Sequence, residues 1–287
     1  MLYVAKYLNE LYRRFYALLP VPAKSEQSTN VIYLPVSKEE DTAIPFREYP
    51  VASTSQRPSD GTVELALELM KNDDAMCCFL HDVRAAITHK NFHFYYDFSD
   101  LTAEQRMRFR ATIKLLQDGY LKNCGYSGTK FFGEVANLHT VIDFLNGRYL
   151  EIAIAELTEK TLASLAAENN FQYSLIRNGT IRQKNGRHNE FDLILDLNDT
   201  IRIAVEIKSG DVFSDYEKYV TIGNTYNIIP DNFILVQSRL SEKSAQRIGD
   251  VCGYRVCDPA HYTAIVQDMV LAQLSAPCTA TTDELVG

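Results

Sequence analysis

The chain has 287 residues, 46% of them hydrophobic and 23% charged, with a formal net charge of −8 at pH 7. That length and mixture suit a globular protein of one or two domains with a sizeable core. The negative balance excludes a protein that coats nucleic acid nonspecifically but leaves local docking surfaces open.

Residues 1–62 read as an irregular N-terminal arm or extension. Val4, Leu8, Leu11, Phe15 and Leu19 recur at helical spacing before Pro20 and Pro22. The stretch to Asp60 is rich in Pro, Ser, Thr and Glu, and only Val31-Ile32-Tyr33-Leu34 looks like a strand. It either wraps a partner subunit or packs on its own core. Met1–Lys6 lacks a secretory pattern. Six cysteines without disulfide density or zinc spacing read as reduced thiols, so a cytoplasmic protein is expected. No apolar run approaches the roughly 20 residues that span a bilayer, so no membrane partner is expected.

Residues 63–138 read as a small winged-helix-like module. Helices are predicted over 63–70 and 75–89, and Thr102-Ala103-Glu104-Gln105 is a capping box opening a third. A hairpin follows over 120–132, turning at Gly125-Tyr126-Ser127-Gly128. Arg106, Arg108, Arg110 and Lys114 make the third helix basic. Either it enters a nucleic-acid groove or it is an ordinary solvated face.

Residues 139–275 read as an α/β domain with a polar tail, 276–287, after it. Its predicted elements are a helix over 144–168, strands over 172–177, 190–197, 201–208 and 232–237, and further helices near 214–227, 241–250 and 259–274. A short strand is predicted over 254–257.

The chemistry concentrates in two of these strands. Phe191-Asp192-Leu193-Ile194-Leu195-Asp196-Leu197 turns at Asn198-Asp199-Thr200 into Ile201-Arg202-Ile203-Ala204-Val205-Glu206-Ile207-Lys208. Side chains alternate along a strand, so Glu206 and Lys208 share a face. A three-residue turn pairs Leu197 with Ile201 and sets Asp192 opposite Glu206. Charges inside such apolar strands are costly unless paired or bound to metal. Two carboxylates one strand apart suit a hard cation, Mg²⁺ or Mn²⁺, held by Asp192, Glu206 and the carbonyl of Ile207. Lys208 beside them can orient water or offset charge on a phosphoryl oxygen. The plain alternative is a salt-bridged hairpin.

This order of residues resembles the PD-(D/E)xK nuclease superfamily, with Phe191 where the motif's name places proline. Gly147-Arg148-Tyr149-Leu150-Glu151, followed by an apolar helix, and Asn189-Glu190-Phe191-Asp192 are similar to the nuclease domain of CARF-linked CRISPR-associated ancillary effectors. The resemblance covers about residues 140–240. It implies a restriction-endonuclease-like core, a mixed sheet flanked by helices, with a divalent ion and cleavage of nucleic acid, and a role in defence against foreign nucleic acid. It also makes Glu151 a fourth catalytic candidate, although an acid in a first helical turn is favourable in its own right. The chain departs from that family over residues 1–62, which are too short and irregular for the usual sensor domain.

Arg177, Arg182, Lys184, Arg187 and His188 form the most concentrated basic segment and lead into Asp192. They either grip substrate phosphates or form a solvated hairpin, and Lys218 and Tyr219 are further contact candidates. The expected protein is a metal-dependent endonuclease, acting on DNA in preference to RNA and working as a homodimer. The competing expectation is a non-catalytic winged-helix nucleic-acid-binding or assembly protein on a nuclease-like scaffold. A third reading is an effector whose nuclease awakens on ligand or partner binding.

Overall fold

A computed structural model describes residues 44–52, 56–183, 186–210 and 216–275. The expectations for residues 1–43, the tail beyond Ser275 and Lys184 lie outside the described residues. The described residues form one compact α/β unit.

The first part is built from helices α1 (Asp60–Lys71), α2 (Asp73–Thr88) and α3 (Ala103–Leu116), and strands β2 (His93–Asp97), β3 (Leu121–Ser127) and β4 (Lys130–Val135). Ser59 caps α1 through Thr62 N–H, and Thr102 and Gln105 close the predicted capping box on α3. The three strands make an antiparallel sheet in the order β2-β4-β3. Its inner face carries Phe94, Tyr96 and Phe131 onto Phe79 and Phe109, with ring centroids between 5.3 and 6.0 Å. Strand β2 was missed in the sequence reading, although Phe94 and Tyr96 alternate with exposed residues.

The second part follows α4 (His139–Asp143) and a π-turn over Phe144–Arg148. Its helices are α5 (Tyr149–Asn169), α6 (Tyr216–Thr225), α7 (Glu242–Cys252) and α8 (Tyr262–Ser275). Its strands are β5 (Tyr173–Arg182), β6 (His188–Leu197), β7 (Ile201–Lys208), β8 (Phe233–Gln237) and β9 (Arg255–Cys257). With β1 (Val51–Ala52) they form a six-stranded mixed sheet, ordered β1-β5-β6-β7-β8-β9. The first four strands pair antiparallel, and β7-β8-β9 pair parallel.

Alternation along β6 and β7 explains the layers. Leu193, Leu195, Leu197, Ile203, Val205 and Ile207 face a core shared with α5, α8 and the first part. Ile194 and Ala204 face a second core with α6 and α7. The two predicted modules therefore share one continuous apolar interior. Part of the expected arm also packs on its own chain. Phe46 sets its ring 5.6 Å from that of Phe191, and Arg202 donates to Tyr49 O at 2.6 Å.

Two boundaries near the site differ from expectation. The long helix starts at Tyr149, because Gly147, at φ 144°, breaks the helical path before it. Strand β5 runs on to Arg182, so the basic segment is mostly strand, with a short turn at its end. The strand was expected to end at Arg177; Asn178 takes φ 49°, but the pairing resumes beyond it.

Candidate metal and nucleic-acid site

The site forms where β6 and β7 separate. Pairing runs from Leu197–Ile201 to Leu193–Val205, in the register expected from the turn, and stops one step before Asp192 and Glu206. On the other side, the β5–β6 ladder skips the step from Asn178 to Asp192, where Asn178 is left-handed. Freed from both ladders, Asp192 turns its carboxylate to accept from Ile207 N–H at 2.6 Å. Lys208 donates to Glu206 Oε2 at 3.1 Å and lies 3.8 Å from Asp192 Oδ2. The three predicted side chains therefore meet, with one ammonium between two carboxylates.

The electrostatics are short of positive charge. Glu206 is 5% exposed, and burial first, then the charge of Asp192, pushes its pKa above the ordinary carboxylate range. Burial also raises Asp192, opposed by Lys208 and by the Ile207 N–H. Burial disfavours the Lys208 ammonium, but Glu206 and Asp192 outweigh it and hold its pKa above the usual lysine value. Glu151, in the first turn of α5, is raised to about 7 by burial and then by Asp192. One lysine does not satisfy the acids gathered here.

Asp192, Lys208, Ile207, Glu151 and Glu190 line a cavity of about 520 Å³, with Asn178, Arg148 and Gly147 on its walls. Glu206 is not among the residues that line this cavity; it is buried, and its charge acts on Tyr219. Gly147 is fixed by its backbone, and its small size leaves room for Ser209. Its φ of 144° suits glycine alone, and an added Cβ would run into Ser209 Oγ. Arg84 of α2 ties the cavity rim together, donating to Leu145 O at 3.0 Å and to Ser209 O at 3.1 Å. Sequence reading missed Arg84 because its partners are 61 and 125 residues away. Asn178, which lines the cavity, was not among the expected site residues.

The donor set fits a hard divalent ion in one respect and is sparse in another. Asp192, Glu206 and the main chain at Ile207 supply oxygen chemistry in a site where acids outnumber the bases beside them. Yet among the described residues no three His, Cys, Asp or Glu side chains stand close enough to hold a metal by themselves. An ion here would take main-chain oxygen and water beside the two acids.

The basic candidates divide. Arg177 is half-buried beside Glu156 and Glu159 of α5, which attract it while burial lowers its pKa. Arg182, Arg187 and His188 are exposed at the hairpin end. Arg187 and His188 border an open groove of about 630 Å³ with Ile222, Thr225 and Tyr226. Lys218 is exposed, with its ammonium 5.5 Å from the Tyr219 ring. Tyr219 is 3% exposed, and its pKa is raised to about 12 by burial and then by Glu206. It supports the site from inside the second core and offers little surface to a substrate.

No family model and no curated protein matches the chain. Among solved structures it is similar to the crystal structure of protein VC1899 from Vibrio cholerae, with a TM-score of 0.51 and 12% sequence identity. The match covers 79% of this chain and 59% of that one, so the chain spans little more than half of the length of that protein. At this identity the likeness concerns the fold, a mixed sheet flanked by helices. No helix of the described residues is long and apolar enough to cross a membrane.

Proposed function

We propose that the chain is a divalent-metal-dependent nuclease of PD-(D/E)xK type, hydrolysing phosphodiester bonds of nucleic acid, with DNA the first substrate to test. One observation carries the reading: Asp192, Glu206 and Lys208 come from two strands to the point where their ladder ends, at the edge of a polar cavity. Asp192, Glu206 and the carbonyl of Ile207 would hold Mg²⁺ or Mn²⁺. When bound, such an ion lowers the pKa of a water and draws charge from a phosphoryl oxygen.

The chain's own groups supply the rest. Lys208, held protonated by its acid neighbours, places a positive charge at the cavity edge, where negative charge grows in the transition state. Glu151 borders the same cavity with a pKa near neutrality, as suits a group that accepts and returns a proton. Gly147 and Arg84 fix the cavity's rim. Arg182, Arg187 and His188, exposed beyond the site on the β5–β6 hairpin, would meet substrate phosphates.

The test is cleavage of plasmid, single-stranded DNA and RNA with Mn²⁺ and with EDTA. Cleavage by the wild type that is lost in both Glu206→Ala and Lys208→Ala supports the reading. Equal residual cleavage in wild type and variants would trace it to contamination and sink the proposal. Binding without cutting, unaffected by metal, would favour a nucleic-acid-binding scaffold.

A further inference from the structure

The sheet β2-β4-β3 buries one face and leaves the other open. Cross-strand partners point the same way, so the open face reads as three rows. His93, Glu134 and Lys122 form the first; Tyr95, Phe132 and Gly125 the second; Asp97, Lys130 and Ser127 the third. Tyr95 is 56% exposed and Phe132 40%. The tip of the Phe132 ring reaches over Gly125, where a Cβ would meet it at 2.7 Å. Two large aromatic side chains side by side at the centre of an open sheet face mark an interaction surface.

The charges name the occupant. His93 and Glu134 are 3.6 Å apart in the first row, base on β2 and acid on β4. In the third row the order is reversed, with Asp97 on β2 and Lys130 on β4. We infer that this face is a homodimer interface, self-complementary about the Tyr95–Phe132 row. A second copy turned by 180° about an axis along that row lays each strand over its counterpart with the ends exchanged. His93 then meets Asp97 of the second copy, Glu134 meets its Lys130, and each pairing occurs twice. The aromatic row meets itself, and Lys122 meets Ser127 with no like charge opposed. A nucleic acid fits less well, because Glu134 and Asp97 cancel the two lysines and leave nothing to attract phosphate. Three strands at about 4.8 Å spacing and five residues at about 3.4 Å give a face of only some 14 by 17 Å. So small a face makes the inferred dimer weak. None of this depends on the nuclease reading.

Sedimentation of the full chain over roughly 1–200 µM tests it. The wild type is expected to be in reversible monomer–dimer exchange, and Tyr95→Ser/Phe132→Ser to remain monomeric with an unchanged Tm. Lys130→Glu and Glu134→Lys each oppose like charges twice and weaken the dimer about 10-fold or more. The double variant Lys130→Glu/Glu134→Lys is expected to return within about 3-fold of wild type. Repulsion inside each chain, from Asp97 and Lys122, is present in the double variant as in the singles, so recovery has to come from contact between copies. A wild type monomeric throughout, a dimer indifferent to Tyr95→Ser/Phe132→Ser, or a double variant weaker than either single would each overturn the inference. A monomer that loses single-stranded DNA binding on Phe132→Ser would assign the face to nucleic acid instead.

Discussion

Strands β6 and β7 carry acids and bases at both ends of their ladder, and the two ends are built differently. At the turn end, Asp196 takes a two-pronged bond from Arg202, at 2.6 and 2.9 Å, and Arg202 spends its remaining nitrogen on Tyr49 O. One acid meets one base, and the donors and acceptors are matched. At the open end, two acids share one lysine beside a 520 Å³ cavity that a further acid, Glu151, also borders. The first arrangement is what a fold needs for itself; the second leaves charge unbalanced, at a cost in stability that a bound cation would remove.

The largest expected effect separates the ends by activity. Glu206→Gln or Asp192→Asn should lower cleavage about 1,000-fold or more while leaving Tm unchanged or higher, since each removes a poorly compensated buried charge. Asp196→Asn should do the reverse. Losing a mostly buried, bidentate pair should cost about 2–3 kcal/mol of stability, measured by urea unfolding. Cleavage per folded molecule should stay within about 3-fold of wild type. If Asp196→Asn abolished cleavage in folded protein, the division between a structural and a chemical end would fail.

This contrast shows what the sequence could and could not disclose. The register of β6 and β7 was legible because a three-residue turn and a strict period of two leave one pairing that buries the leucines. That pairing brought Asp192, Glu206 and Lys208 together on paper. Their detailed geometry was not legible. It depends on Asn178 taking a left-handed conformation in the neighbouring strand and on Ile207 N–H capturing Asp192. Arg84 and residues 46–49 were also hidden, because their roles come from partners more than 60 residues away.

Backbone strain sharpens the comparison next. Gly147→Ala should destabilise the protein by about 1–3 kcal/mol, from its φ of 144° and the loss of room for Ser209. Because Ser209 follows Lys208, kcat should fall further than binding weakens; equal losses in kcat and in folded fraction would make the glycine merely structural.

Proton linkage gives a smaller effect of definite sign. Glu206 and Glu151 both have folded pKa values above their ordinary 4.5, Glu151 at about 7. Folding therefore favours their neutral forms. Their contribution is complete below about 4.5 and is lost as pH rises through about 7. In EDTA, Tm should fall by about 4 °C or more between pH 5 and 8, and less steeply in Glu206→Gln. Mn²⁺ should flatten the fall by replacing the protons. A slope unchanged by both Glu206→Gln and Mn²⁺ would mean that the open end is not the source of the imbalance.

The smallest effect concerns the hairpin beyond the open end. Arg182 and Arg187 are exposed, whereas Arg177 is turned against the acids of α5. If the exposed pair meets phosphates, Arg182→Ala and Arg187→Ala should each raise KM about 3-fold and reduce the salt dependence of binding by about one counterion. Arg177→Ala should leave that slope alone and lower stability instead, since it strips Glu156 and Glu159 of a half-buried partner. The comparison along β6 then extends to a third position. The turn end is matched within the chain, the open end would take a cation, and the hairpin's exposed charges would meet a substrate. A salt slope lowered equally by all three substitutions would erase that last distinction and reduce the hairpin to general positive charge.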